Sequence, residues 1–114
     1  MPPRKWDLRI RDMIAAIERI MEYASGLGLA QFQSDRKTVD AVIRNLEILG
    51  EAATRVPEEI VFNCADVPWQ DIRDMRNLLA HEYFGINEEI VWETINKDLP
   101  VLIVQLKQIL ETSK

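Results

Sequence analysis

Residues 34–55, SDRKTVDAVIRNLEILGEAATR, decide the fold. Val39, Val42, Ile43, Leu46, Leu49 and Ala53 recur at steps of three and four, the spacing that gathers side chains on one stripe of an α-helix. Ser34 or Asp35 suits the N-cap, because a short side-chain oxygen can accept from the free N–H groups of the first turn. Pro57 disfavours helical backbone in the residue before it, so the helix should close near Arg55. Gly50 lies on the apolar stripe. A glycine there costs about 1 kcal/mol against alanine, so close approach of a neighbouring helix is the expected reason for it. Asp40, Arg44, Glu47 and Glu51 project together from another face, either as a self-paired surface ladder or as a polar seam facing an active site or a partner. Ala41, Ile48 and Ala52 make a small apolar strip beside them, which points to contact with a second copy of the chain.

The same periodicity extends in both directions. Trp6, Ile10, Met13, Ile14, Ile17, Ile20 and Met21 form the stripe of a helix over about 6–24, which Gly26 and Gly28 should end. A short helical turn is expected over about 58–63. Val67-Pro68-Trp69 then opens a further helix, with the proline in its first turn, and Gly85 should terminate it near Phe84. Asn87 suits the cap of a fifth helix containing Ile90, Val91, Trp92 and Ile95. Asp98 can cap or punctuate the run into the last, where Pro100 sits in the first turn and Leu99, Leu102, Ile103, Leu106, Ile109 and Leu110 form the stripe. Strand-like alternation, repeats and low-complexity tracts are absent. The fold class is therefore all-α, a bundle of five or six amphipathic helices, with residues 1–114 as a single domain.

Composition narrows the function. A chain of 114 residues with 47% hydrophobic and 29% charged residues has the balance of a folded protein. One cysteine, Cys64, cannot close an internal disulfide, which suits a reducing cytoplasm. The charged N-terminus lacks the apolar core of a secretory signal, and no run of about 18 apolar residues could span a bilayer. A net charge of −5 argues against coating nucleic acid by bulk attraction, so any RNA contact must be local. The basic residues Arg4, Lys5, Arg9 and Arg11, and then Arg36, Lys37 and Arg44, read as ordinary solvated faces.

The chemistry concentrates in Arg76-Asn77-Leu78-Leu79-Ala80-His81-Glu82-Tyr83. On an ideal helix Asn77 and His81 are one turn apart, while Arg76 and Tyr83 join the stripe of Trp69, Ile72 and Leu79. An arginine on an apolar stripe must meet a carboxylate, a helix end or a bound anion. Glu47 or Glu51 could be that carboxylate; an anion site is the alternative. His81 is the only histidine. It is either a structural side chain or a proton carrier, and its place in the last turn favours the protonated form. Proton transfer beside phosphate binding is the apparatus of RNA cleavage by the ribose 2′-hydroxyl, which needs no metal and to which DNA is immune. Asp71, Asp74 and Glu82 with one histidine form no recognisable metal-ligand spacing, so no cofactor is expected.

These residues also resemble a family. The sequence is similar to the HEPN superfamily, and within it to HepT, the toxin member of a toxin and antitoxin pair whose antitoxin is a minimal nucleotidyltransferase. The superfamily's arginine, polar residue, three residues and histidine are matched by Arg76, Asn77, Leu78-Leu79-Ala80 and His81, and the tyrosine that HepT adds two positions later by Tyr83. The block from Thr38 to Ala52, the lead-in Val67-Pro68-Trp69, and Val91-Trp92 with Asp98-Leu99-Pro100 carry the resemblance along nearly the whole chain. It implies a homodimeric, metal-independent endoribonuclease in which Arg76 holds phosphate, Asn77 positions nearby groups and His81 transfers protons. It further implies silencing by a nucleotidyltransferase that attaches AMP to Tyr83, for which a buried core tyrosine is the plainer reading. Because the chain has one histidine, and because Arg76 and His81 stand about 140° apart around an ideal helix, a site composed by two chains about a twofold axis is expected. The rival is a non-catalytic module that binds a nucleotide or fastens a dimer.

Overall fold

The computed structural model describes residues 5–81 and 87–112, with the backbone alone at 5 and 76–81. Within them all regular structure is helical: α1 (Lys5–Ala24), α2 (Leu29–Ser34), α3 (Arg36–Thr54), α4 (Glu58–Asn63), α5 (Trp69–His81), α6 (Glu88–Glu93) and α7 (Leu99–Thr112). A π-helical turn, Thr94–Asp98, joins α6 to α7, so these three make one continuous helical run.

The helix α3 is the centre of the bundle, packed between α1 and α5, while α7 closes over α1. Its stripe behaves as the periodicity requires: Val39, Val42, Leu46, Leu49 and Ala53 are buried and Ile43 half-buried. They meet Ile10, Met13, Ile17 and Ile20 of α1, and Leu99, Leu102, Leu106 and Ile109 of α7, in one apolar cluster. Burying each such side chain contributes about 1.5–3 kcal/mol, which is why the stripes fix the packing.

Local chemistry sets the ends. Asp35 is the N-cap of α3, accepting from the Thr38 N–H at 3.2 Å and the Thr38 hydroxyl at 2.8 Å. Ser34 instead closes α2, its hydroxyl donating to the Gln31 carbonyl. Gly26, at φ +79, turns the chain out of α1 in a left-handed conformation that a Cβ would strain. Gly28 does not end α1. It caps α2, its N–H donating to Gln31 Oε1 at 2.8 Å.

The periodicity does not foretell α2, yet its Phe32 is fully buried and lies 4.9 Å from the Trp92 ring of α6. The last two helices also differ from expectation. Among the described residues Asp98 makes no cap hydrogen bond; the chain instead widens into the π turn, in which the Leu99 N–H donates to the Thr94 carbonyl five residues back. Pro100, having no N–H, interrupts the ordinary ladder at this point. Thr94 Oγ1 donates to the Ile90 carbonyl and Asn96 Nδ2 to the Trp92 carbonyl, so side chains supply donors where the ladder shifts.

Candidate functional site

The helix α5 is built outward from its first turn. Pro68 stands just before the helix rather than within it, its carbonyl accepting from the Ile72 N–H at 3.1 Å. Trp69 and Ile72 are buried against the core, and the Trp69 indole donates to the Cys64 carbonyl at 3.0 Å. Burial, with a smaller contribution from Asp66, pushes the Cys64 thiol above its ordinary range.

Arg73 then fixes α5 along α3. Its guanidinium, 18% exposed, donates from Nε to the Ala53 carbonyl at 3.0 Å, from Nη2 to the Val56 carbonyl at 3.3 Å and from Nη1 to Glu58 at 3.2 Å. A cation at the C-terminus of α3 meets the negative end of that helix's dipole. At the other end Arg36 of α3 holds Glu88 of α6 at 2.7 Å. Arg73 thus ties α5 to the C-terminal end of α3, and Arg36 ties the N-terminal end of α3 to α6.

The backbone carrying Arg76, Asn77 and His81 is helical. Position 76 lies one turn beyond buried Ile72, and positions 77 and 81 are one turn apart. Positions 76 and 81 stand about 140° apart around the axis, as on the ideal helix. Tyr83, and the end of the helix expected near Phe84 with Gly85, lie outside the described residues.

A further face of α3 carries Asp40, Arg44, Glu47 and Glu51. It is not a self-paired ladder: Glu51 pairs with Arg55 at 3.3 Å, and no ion pair joins Asp40, Arg44 and Glu47 to one another among the described residues. Arg44, Glu47 and Glu51 instead form one wall of a groove of about 480 Å³, whose other wall is the Arg9, Asp12 and Arg19 side of α1. Ile48 and Ala52 lie at its floor, half-buried and buried, and Ala41 is half-buried nearby. Arg19 donates from Nε to Asn45 Oδ1 at 2.7 Å, and Asn45, only 6% exposed, donates from Nδ2 to the Ala41 carbonyl.

Sequence reasoning passed over both Arg73 and the Arg19–Asn45 pair. A faint signal existed for the second, since Asn45 falls between Val42 and Leu49 at core spacing, where an asparagine requires hydrogen-bond partners. Among the described residues no group of three or more histidine, cysteine, aspartate or glutamate side chains could hold a metal ion, and no helix is long and apolar enough to cross a membrane.

Comparison with known proteins adds the family. The family profile described as "Ribonuclease HepT-like" matches residues 13–109. A protein of Caldanaerobacter subterraneus subsp. tengcongensis named "Putative RNase" is 39% identical over 105 residues, covering 92% of this chain and 94% of that one. Another "Putative RNase", from Methanocaldococcus jannaschii, is 32% identical over 111 residues, covering 97% and 92%. The "Probable ribonuclease HepT" of Thermococcus cleftensis is 38% identical over 93 residues, covering 82% and 84%. No solved structure matches.

Proposed function

The chain belongs to the HepT-like ribonuclease family, and on that premise we propose that it is a metal-independent endoribonuclease, the toxin of a toxin and antitoxin pair. The observation that carries the reading is the family match across residues 13–109, which includes Arg76, Asn77 and His81 on α5. The reaction moves one proton off and one on. A base takes the proton of the ribose 2′-hydroxyl, O2′ attacks the adjacent phosphorus, the P–O5′ bond breaks, and an acid protonates the departing O5′. The products are a 2′,3′-cyclic phosphate and a free 5′-hydroxyl. Arg76 neutralises the phosphate oxygens as charge accumulates, with the forked geometry suited to them. Asn77 orients the phosphate or ribose, and His81 transfers the protons.

One histidine per chain leads to a homodimer whose two motif helices complete each centre. Silencing follows from the tyrosine: a nucleotidyltransferase partner transfers AMP from ATP to the Tyr83 hydroxyl, releasing pyrophosphate and leaving a phosphate that competes with the substrate's for Arg76.

The test is purified protein on total cellular RNA in the presence of a chelator, beside His81→Ala. Cleavage by wild type alone supports the reading; intact RNA with wild type overturns it and leaves a binding module. Intact-mass measurement after incubation with the partner and ATP should show added AMP on wild type and none on Tyr83→Phe.

A further inference from the structure

We propose that the groove between α1 and α3 binds a backbone phosphate of the single-stranded RNA flanking the cleaved bond, with Arg19 and Arg44 as its anion-binding groups. The identity of the ligand rests on the ribonuclease reading; the anion site itself rests on the arginines. Seven arginines have described side chains. Five of them pair with a carboxylate: Arg9, Arg11, Arg36, Arg55 and Arg73. Among the described residues no carboxylate pairs with the other two, Arg19 and Arg44, and both line this one groove.

Arg19 is held for the purpose. Its Nε is fixed by a neutral amide, Asn45, which is itself buried and anchored to the Ala41 carbonyl. A carboxylate in that place would orient the guanidinium and cancel its charge; the amide orients it and leaves the charge whole, with both Nη nitrogens available for a forked contact. A half-buried cation with no counter-ion among the described residues is unfavourable, and an incoming phosphate would relieve that cost. Arg44 faces it from α3.

Arg9 and Arg55 flank the pair. Their bonds to Asp12 at 3.6 Å and Glu51 at 3.3 Å are solvent-exposed, the kind of pair that contributes roughly 0–1 kcal/mol and gives way to a better anion. Glu47 opposes them, so it lowers the groove's affinity without closing it. From Arg9 to Arg19 the groove runs about 15 Å along α1, enough to follow an extended strand by its backbone, as grooves for single strands do. Its α3 wall is Arg44, Glu47, Ile48 and Glu51, so the groove lies on the α1 side of α3.

Binding is measured by fluorescence anisotropy with a fluorescein-labelled single-stranded RNA, on His81→Ala protein so that the probe stays intact. Arg44→Gln, an exposed change, should weaken binding roughly fivefold or more, and should reduce the slope of log affinity against log salt by about 0.7, the loss of one phosphate contact. Arg19→Lys keeps the charge but loses the fork and should also weaken binding. Glu47→Gln should tighten it. Unchanged affinity and slope in both arginine variants, or no RNA binding by the parent, would overturn the proposal. So would dissociation of a dimer by Arg44→Gln without loss of RNA affinity, since the groove would then hold a second copy of the chain. Cleavage of the same RNA by the otherwise wild-type protein is followed in parallel. Its absence counts against the ribonuclease reading, whereas normal cleavage with indifferent arginine variants counts against the groove.

Discussion

Removing Arg73 should loosen the seating of α5 on α3, and the loss can be sized from its three contacts. The bonds to the Ala53 and Val56 carbonyls come from a charged donor that is 18% exposed, so each contributes about 1.5 kcal/mol. The Glu58 contact contributes roughly 0–1 kcal/mol, because that carboxylate is 82% exposed and solvent screens it. Arg73→Ala should therefore cost about 3 kcal/mol and lower Tm by about 12 °C at this chain length. Arg73→Lys should recover little, since an ammonium cannot span two carbonyls on separate turns. Glu58→Gln should cost under about 1 kcal/mol. Urea denaturation followed by circular dichroism reads all three. If Arg73→Ala changes stability by under about 0.5 kcal/mol, as ordinary surface substitutions do, or if Glu58→Gln matches it, the carbonyl clamp is not what holds α5.

Three further outcomes follow from the described contacts. The Thr38 hydroxyl and N–H hold the Asp35 carboxyl below its ordinary value of 3.8, so its capping contribution is present above that pH and lost as pH falls through the depressed value; the Tm difference between wild type and Asp35→Ala should shrink as the pH is taken from 6 to 3, and a constant difference would refute the cap. Phe32→Ala should destabilise by about 3–5 kcal/mol and Phe32→Leu by far less, in the same urea assay, because the ring is fully buried against Trp92; a cost below about 1 kcal/mol would mean that α2 is not part of the core. Cys64, half-buried and with its thiol pushed up, should react with iodoacetamide at pH 8 more slowly in the folded protein than in urea, and equal rates would contradict that environment.

What the sequence disclosed follows from which physics is local. The long helices α1, α3 and α7 announce themselves because a stripe repeated over more than three turns is hard to imitate, and Asp35, Pro57 and Gly26 mark boundaries through their own backbone chemistry. The helix α2 spans six residues, too few to show a period, and only tertiary contact reveals that Phe32 belongs to the core. The π turn depends on the donors of Thr94 and Asn96 and on the N–H that Pro100 lacks, along one continuous run, which caps read singly as a break. Of the site, the motif was legible as spacing and as family resemblance. The groove was not: Arg19 and Asn45 are 26 residues apart, and nothing in either neighbourhood states that they touch. Arg73 likewise looks like any surface arginine until the end of α3 is seen beneath it.

The central claim is that RNA is cut by its own 2′-hydroxyl. Once the cleaved bond in a defined oligonucleotide is mapped, a single 2′-deoxy substitution is placed at the nucleotide on its 5′ side and cleavage is measured in a chelator. The account predicts that the all-ribose strand yields a 2′,3′-cyclic phosphate and a 5′-hydroxyl, and that the substituted strand stays whole at that bond. Cleavage of the substituted strand at the same position would contradict it.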